Sequence, residues 1–414
     1  MAVATAPSSQ PPPPPPFAQG KAVLLLGAGL LISFGTINHS YAIVAGSITE
    51  DLGISEPVFF TVLSVAMLIS GFAGPIVGRL IDRTMAIAIM SVGSAIVGFL
   101  YLCMGVAPSF WVLAALMIVL QVASLTVLYA AAFPAIIRFS TERARGAITN
   151  LTLIGGLAPA VFWPLTGWLV EEVGWRSTFL IFGALHLLVV LPLHLYVLRR
   201  TPVSSTLTEI DTDVSLPPVR TPLTRPRLVF WLVAVSFGIT SMLSTTLLVH
   251  MVPVLIASGL GAHTFLVSML VGPTMVLSRL ALSVFWPDAS PLRVAIIALG
   301  AFFVSLICLV ANLPTLVAGI AFVLFYGCAH GLNVISNGTL PLQLFGAEGY
   351  GEVLGRLHLV RVLFGAGAPA AFSFALAATD LETTAMAGMT MLLAGMIPLL
   401  ILGRLMCRDG SPKD

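Results

Sequence analysis

Residues 199–226 read RRTPVSSTLTEIDTDVSLPPVRTPLTRP, the one long polar stretch inside an otherwise apolar chain. With Arg227 just beyond, it carries Arg199, Arg200, Glu209, Asp211, Asp213, Arg220 and Arg225 among five prolines. It has too little apolar surface to build a core and reads as a solvated linker. On either side the sequence falls into hydrophobic blocks. A helix needs about 20 apolar residues to cross a hydrocarbon layer of roughly 30 Å. By that measure six spans precede the linker, near 22–45, 57–80, 86–107, 111–137, 146–170 and 175–198. Six follow it, near 227–256, 264–286, 291–311, 314–344, 352–378 and 383–405. The expectation is an all-α membrane protein of twelve transmembrane helices in two six-helix, pseudo-symmetric halves (6+6). Residues 22–198 form the N-terminal bundle, 199–226 the cytoplasmic linker and 227–405 the C-terminal bundle. Residues 1–21 form a disordered tail around the proline run 11–16, and 406–414 a short cytoplasmic tail.

Charge sets the orientation. Read as twelve spans, the chain places its Lys and Arg in the N-terminal tail, the even-to-odd loops with their helix ends, and the C-terminal tail. Arg176 alone falls on the other side. This positive-inside bias puts both termini in the cytoplasm. Hydrophobic residues make up 58% of 414 and charged residues 9%, with a mean hydropathy of +1.05. A soluble domain carries about 25% charged residues, so a single soluble core is excluded. A net charge of +2 lacks the clustered basic face that nucleic acid requires. Cys103, Cys308, Cys328 and Cys407 are too scattered for a disulfide framework or a metal site. The only lysines are Lys21 and Lys413, and neither sits in a phosphate-binding G-x-x-x-x-G-K-[ST] loop. No H-E-x-x-H or G-x-S-x-G motif, and no pair of intramembrane carboxylates, supports an enzyme. The Ala- and Arg-rich, Lys-poor composition points to a bacterial inner (plasma) membrane.

Gly78-Arg79-Leu80-Ile81-Asp82-Arg83 lies between spans 2 and 3, and Gly174-Trp175-Arg176 between spans 5 and 6. Span 5 carries Gly155-Gly156-Leu157-Ala158-Pro159, then Pro164 and Gly167. Span 8 echoes span 2, with Gly272-Pro273 and Ser278-Arg279-Leu280 against Gly74-Pro75 and Gly78-Arg79-Leu80. Together with the 6+6 plan, these segments resemble the major facilitator superfamily. Its loop signature G-x-x-x-D-[RK] matches Gly78, Asp82 and Arg83, while the next glycine and basic residue are replaced by Met85 and Ala86. The resemblance implies a gating role for Gly78, Asp82 and Arg83. The carboxylate would meet a helix N-terminus of the other half, where the helix dipole favours it. The bland alternative is a solvated turn with a surface ion pair. Asp51-Leu52-Gly53-Ile54-Ser55, the run from Phe162 to Leu188, and Leu344-Phe345-Gly346 with Gly349-Tyr350-Gly351 are most similar to bacterial monocarboxylate porters and oxalate/formate exchangers.

Ionisable groups inside the membrane mark function by default. No Asp or Glu falls well inside a span, but two arginines do. Arg361 lies near the midplane of span 11, and Arg279 lies in span 8, nearer the cytoplasmic face. In the exchangers just named, a basic residue on each of these spans holds a dicarboxylate. In monocarboxylate porters an Asp stands four residues before the span 8 Arg, where this chain has Met275. Arg279 has a second reading, as a side chain snorkelling to the cytoplasmic interface. Arg361 has one as a partner of Glu352. Span 10 carries Tyr326, His330, Asn333 and Asn337 at helical spacing on one face. That face lines a cavity or bonds a neighbouring helix. Asn38 and His39 in span 1, Tyr129 in span 4 and His358 in span 11 complete the candidate substrate site. With carboxylates absent, proton coupling falls to His39, His330 or His358. His186, His194 and His250 read as interfacial or packed residues.

The expected function is a secondary active or facilitative transporter of a small carboxylate-like or inorganic anion, working by alternating access as a monomer. Its partners are the lipid bilayer, the substrate, and a proton or counter-anion; no cofactor, metal or nucleic acid is expected. The rival is efflux of a neutral, hydrophobic or cationic solute past aromatics such as Phe162 and Trp163.

Overall fold

The computed structural model describes residues 16–139, 144–200, 225–311, 314–368, 371–372, 375 and 378–409, and all regular structure among them is helical. Most of the expected N-terminal tail, and the linker from 201 to 224, lie outside the described residues. The first half comprises α1 (Pro16–Ile37), α2 (Tyr41–Leu52), α3 (Glu56–Arg83), α4 (Ala86–Gly105), α5 (Phe110–Ser124), α6 (Tyr129–Phe139), α7 (Ala144–Gly155), α8 (Ala158–Leu185) and α9 (Leu191–Arg200), the last two joined by a π-helical turn at His186–Val190. The second comprises α10 (Pro226–Val249), α11 (Met251–Ala257), α12 (Thr264–Ser268), α13 (Val271–Phe285), α14 (Pro291–Val310), α15 (Thr315–Phe345), α16 (Tyr350–Gly365) and α17 (Leu381–Asp409).

Ten stretches among the described residues are long and apolar enough to cross a membrane, against the twelve expected. Two differences account for the count. Ala144–Arg200 is one run of 57 residues, roughly 85 Å at the helical rise. Gly174 breaks it with φ 74° and ψ 165°, where the sequence places the turn between spans 5 and 6. The span expected at 352–378 has one continuous helix, Tyr350–Gly365, then a turn at 366–367; in the rest of that span only the helical residues 368, 371–372, 375 and 378 are described. The expected boundaries also shift outward. Helix α1 starts at Pro16 rather than near residue 22, because proline in a first turn loses no hydrogen bond and brings a helical φ. Helix α2 carries the first span to Leu52, and α17 runs to Asp409.

Several spans are interrupted near their middle, at residues 38–40, 125–128, 156–157, 250 and 269–270. At membrane depth such breaks persist only where protein or a cavity, not lipid, faces the freed backbone groups. The outer surface is apolar: Trp111 is 74% and Phe285 83% exposed, alongside Phe72, Ile76 and Phe99. Apolar exposure on this scale suits lipid rather than water.

Buried side chains gather into four clusters, two per half. Lys21 Nζ donates to Tyr196 Oη at 3.1 Å, which puts the start of α1 beside the end of α9 and defines a linker side of the molecule. The first-half cluster on that side holds Leu26, Ile81, Phe133 and Ile148, and also takes in Tyr350 and Leu354 from the second half. The first-half cluster on the far side, around Phe59, Tyr101 and Phe179, draws on its own half alone. So does its second-half counterpart around Met251, Phe302 and Phe322. The halves therefore close on the linker side. There α3 meets α16 backbone to backbone. A Cβ at Gly74 would stand 2.8 Å from the Gly355 carbonyl oxygen, and one at Gly78 or Gly355 would strike the carbonyl of Gly351 or Gly74.

Gly355→Leu is expected to force this crossing apart at an overpacking cost of about 1–3 kcal/mol. The readout is the thermal unfolding midpoint in detergent. Gly300→Leu, where nothing lies within 4 Å of an added Cβ, should leave the midpoint in place. Equal midpoints for the two variants would mean the crossing is looser than described.

Candidate functional site

The glycine crossing delivers Asp82 to the other half. Asp82 ends α3, and its Oδ1 and Oδ2 accept the N–H groups of Gly351 (2.8 Å) and Glu352 (2.7 Å). These are first-turn donors of α16, which have no partner within their own helix. The carboxylate also faces the positive end of the helix dipole. Gly349, at φ 64°, supplies the left-handed turn that starts α16. Arg79 follows the same path and pairs with Glu352 at 3.3 Å, while Glu352 also pairs with Arg356 at 2.6 Å. Sequence reasoning named Arg83 instead. Arg83 is exposed and pairs with no described residue, so beside Asp82 the basic side chain that reaches the other half is Arg79.

The two arginines that the sequence places inside spans are in opposite states of satisfaction: Arg279 bonds across the halves, and Arg361 lies on α16, the helix that packs on α3. Arg279 is 4% exposed. From α13 its Nη1 donates to the Thr152 carbonyl of α7 at 2.7 Å, and its Nε to the Gly331 carbonyl of α15 at 3.2 Å. The guanidinium also lies against Gly156, where any Cβ would collide with it, and beside Tyr129. The snorkelling reading is overturned, because the carbonyl of Thr152 beside the α7–α8 break draws the side chain inward. Arg361 makes no such bonds. Its Nε is buried without a partner, and Glu352, its suggested partner, is engaged by Arg79 and Arg356. One turn earlier on α16, His358 packs on Gly74 of α3, and Val362 packs on Gly71. His358 Nε2 and Asn337 Oδ1 are also buried and unpartnered.

The span 10 stripe divides in two. Tyr326 Oη donates to the Ser244 carbonyl at 2.7 Å, and His330 Nδ1 lies 2.6 Å from Ser244 Oγ. These two bind a neighbouring helix, α10. Asn333 is buried, and Asn337 keeps its free oxygen. His330 is still within electrostatic reach of Arg279 and of His39 from the other half. In the break between α1 and α2, Asn38 is exposed, and His39 stands edge-on to Trp163 at 6.1 Å. Tyr129 stacks on Phe133 (4.7 Å) and lies tilted against Phe34 (4.5 Å).

The remaining polar groups hold the first half together. His186 Nε2 lies 2.9 Å from Thr36 Oγ1, and His194 Nδ1 2.8 Å from Ser94 Oγ, both rings fully buried. On the far side Asp51 Oδ2 accepts from Trp175 Nε1 and Arg176 Nη2, each at 3.2 Å. Arg176 Nη1 also donates to the Ala107 carbonyl at 2.7 Å. The sequence marks both Asp51 and the Trp175-Arg176 turn, but not that the two pair. Among the described residues no His, Cys, Asp and Glu group is arranged for a metal.

The family model for the Major Facilitator Superfamily matches residues 25–369. Among solved structures, 238 chains match. One of these, the crystal structure of the human organic anion transporter MFSD10 (TETRAN), superposes with a TM-score of 0.64 at 17% identity, covering 94% of this chain and 100% of that one. No curated protein matches by sequence.

The Arg279 contact makes a double-mutant prediction. Arg279→Gln should lower stability, by up to about 1.5–3 kcal/mol for each charged hydrogen bond lost. Gly156→Ala should do so as well, by displacing the guanidinium. Combining them should cost no more than Arg279→Gln alone, because both act on one contact. Additive unfolding shifts would separate Gly156 from Arg279.

Proposed function

The chain belongs to the Major Facilitator Superfamily, and on that premise we propose that it carries a small organic or inorganic anion across a membrane by alternating access. It is a transporter and not an enzyme. The observation that carries the anion reading is Arg361: a cation at the contact between the halves, with an unpartnered Nε and no ion pair to any described carboxylate. A guanidinium stays protonated and binds a carboxylate or oxyanion bidentately. With it we assign to the substrate site His358, Asn333 and Asn337 of the second half and Asn38, His39 and Tyr129 of the first. Tyr326 and His330 shape the wall through Ser244. Small carboxylates, as in monocarboxylate porters and oxalate/formate exchangers, are the ligand class this set suits.

In this reading the ten stretches are twelve spans, with Gly174 dividing the 57-residue run and α16 beginning the eleventh. The linker side, with both termini, is cytoplasmic by the placement of Lys and Arg, in a plasma membrane of bacterial type. The described state is then closed to the cytoplasm and open on the far side. Gly78 and Asp82 latch it at the membrane edge, and Arg279 latches it deeper. Opening the cytoplasmic side would free Arg279 from Thr152 and add a second cation to the site. Coupling falls to a counter-anion or to a histidine proton. Efflux of a neutral or cationic solute remains the rival, favoured by the half-exposed Trp163 beside His39. The human transporter's substrate is a property of that protein; at 17% identity it speaks here for the fold.

Counterflow in proteoliposomes loaded with mono- and dicarboxylates and oxyanions should give saturable exchange of one anion. Arg361→Gln should reduce it at least about tenfold, the equivalent of roughly 1.4 kcal/mol. Undiminished anion flux in that variant, or movement of a neutral compound alone, would hand the lead to efflux. Asp82→Asn should loosen the latch. A cysteine replacing Ile148, which is buried near Gly338, should then label faster with an impermeant thiol reagent from the cytoplasmic side. Unchanged labelling would remove Asp82 from the gate.

A further inference from the structure

We propose that the groove between α10, α15 and α16 on the linker side binds an anionic phospholipid, with its phosphate between Arg227 and Arg356 and an acyl chain along the apolar wall. The groove has a volume of about 540 Å³, and Phe230, Trp231, Phe345 and Leu359 form its sides. That is within the usual size of a small-molecule site, about 300–1,000 Å³. A wall so apolar suits a chain and not a soluble phosphate. The rim supplies the sign of the head group. Glu352 is one carboxylate shared by two guanidiniums, Arg356 and Arg79. Arg227 adds a further exposed cation that forms no ion pair with a described residue. The local charge is therefore positive, the complement of an anionic lipid.

Trp231 is 57% exposed and stands one turn from Arg227 on α10. Tryptophan and arginine together at a helix end sit at head-group level, and basic pockets between membrane helices recognise anionic head groups. The lipid would lie beside Glu352, and so beside the Asp82 latch, without occupying the transport site. The proposal needs only that the helices sit in a bilayer; it is independent of the transported substrate. The rival occupant is the chain's own linker, which adjoins Pro226.

The test is bromine quenching of Trp231 in reconstituted vesicles. The protein has six tryptophans, so the Trp231 signal is the difference between the unmodified protein and Trp231→Phe. Phosphatidylcholine vesicles receive increasing amounts of either brominated phosphatidylglycerol or brominated phosphatidylcholine. Half-maximal quenching should come at a mole fraction of the anionic lipid at least about fivefold lower than of the neutral one, the effect of one arginine near a membrane surface. Arg227→Gln should weaken that preference, and Arg227→Gln with Arg356→Gln should abolish it. The single variant leaves the Arg356–Glu352 pair intact and so guards against damage to the latch. Equal quenching by both lipids, or a preference that survives the double variant, overturns the proposal. Absence of quenching by either lipid also overturns it and assigns the groove to the linker.

Discussion

The contact of α3 with α16 is one interaction with two inseparable parts. Lipid tails are as apolar as leucine, so helices in a bilayer are held by close packing and hydrogen bonds rather than by a hydrophobic force. Gly71, Gly74 and Gly78 on one helix and Gly351 and Gly355 on the other remove the side chains that would keep the backbones apart. Only at that separation does the Asp82 carboxylate reach two N–H groups at 2.7–2.8 Å. The packing positions the charge, and the charge closes the packing. Both lie at the membrane edge, where water can resolvate the carboxylate and the helix end when they part. A latch of this kind is strong in place and cheap to release.

Deeper in the membrane the helix breaks and the arginines belong together. Beside the break at residues 156–157 the Thr152 carbonyl accepts the Gly156 N–H at 2.9 Å and keeps a second lone pair. Arg279 donates to that lone pair and fits only because Gly156 has no side chain. Its charge is thus absorbed by backbone dipoles from both halves, Thr152 of the first and Gly331 of the second. Arg361 stands at the same kind of contact but with Nε unused. Two arginines that look alike in sequence are a strut and a cation with an unpartnered Nε, and the difference lies in whether a carbonyl is within reach.

Hydropathy made the helices legible, because about 20 apolar residues have few other uses. The Asp82 contact was legible too, since a carboxylate at that loop position has a helix N-terminus as its natural partner. What stayed hidden depends on three-dimensional accidents of reach. Arg79 and Arg83 are both basic and four residues apart, but only Arg79 projects from the last turns of α3 toward Glu352. The Tyr326–His330–Asn333–Asn337 stripe was correctly placed on one face. Its division between bonded and free members depends on Ser244, a residue with no signal of its own. Gly174 marked a turn, yet the helical run passes through it with a single non-helical residue.

The unpaired guanidinium also bears on how the cycle turns. To change sides, a transporter of this plan passes through a state in which both ends are shut and the site is cut off from water. An unpaired charge enclosed there costs several kcal/mol more than one matched by an opposite charge. Each 1.4 kcal/mol slows the empty return step about tenfold. A carboxylate in the cavity would remove this penalty by neutralising the arginine from within, and none is found among the described spans. With Arg361 as the anion's partner, the loaded carrier crosses readily and the empty one does not. Protonating His358 beside it would deepen the penalty rather than relieve it. On the proposal that Arg361 binds an anion, the same charge distribution would favour exchange of one anion for another over return of the empty carrier.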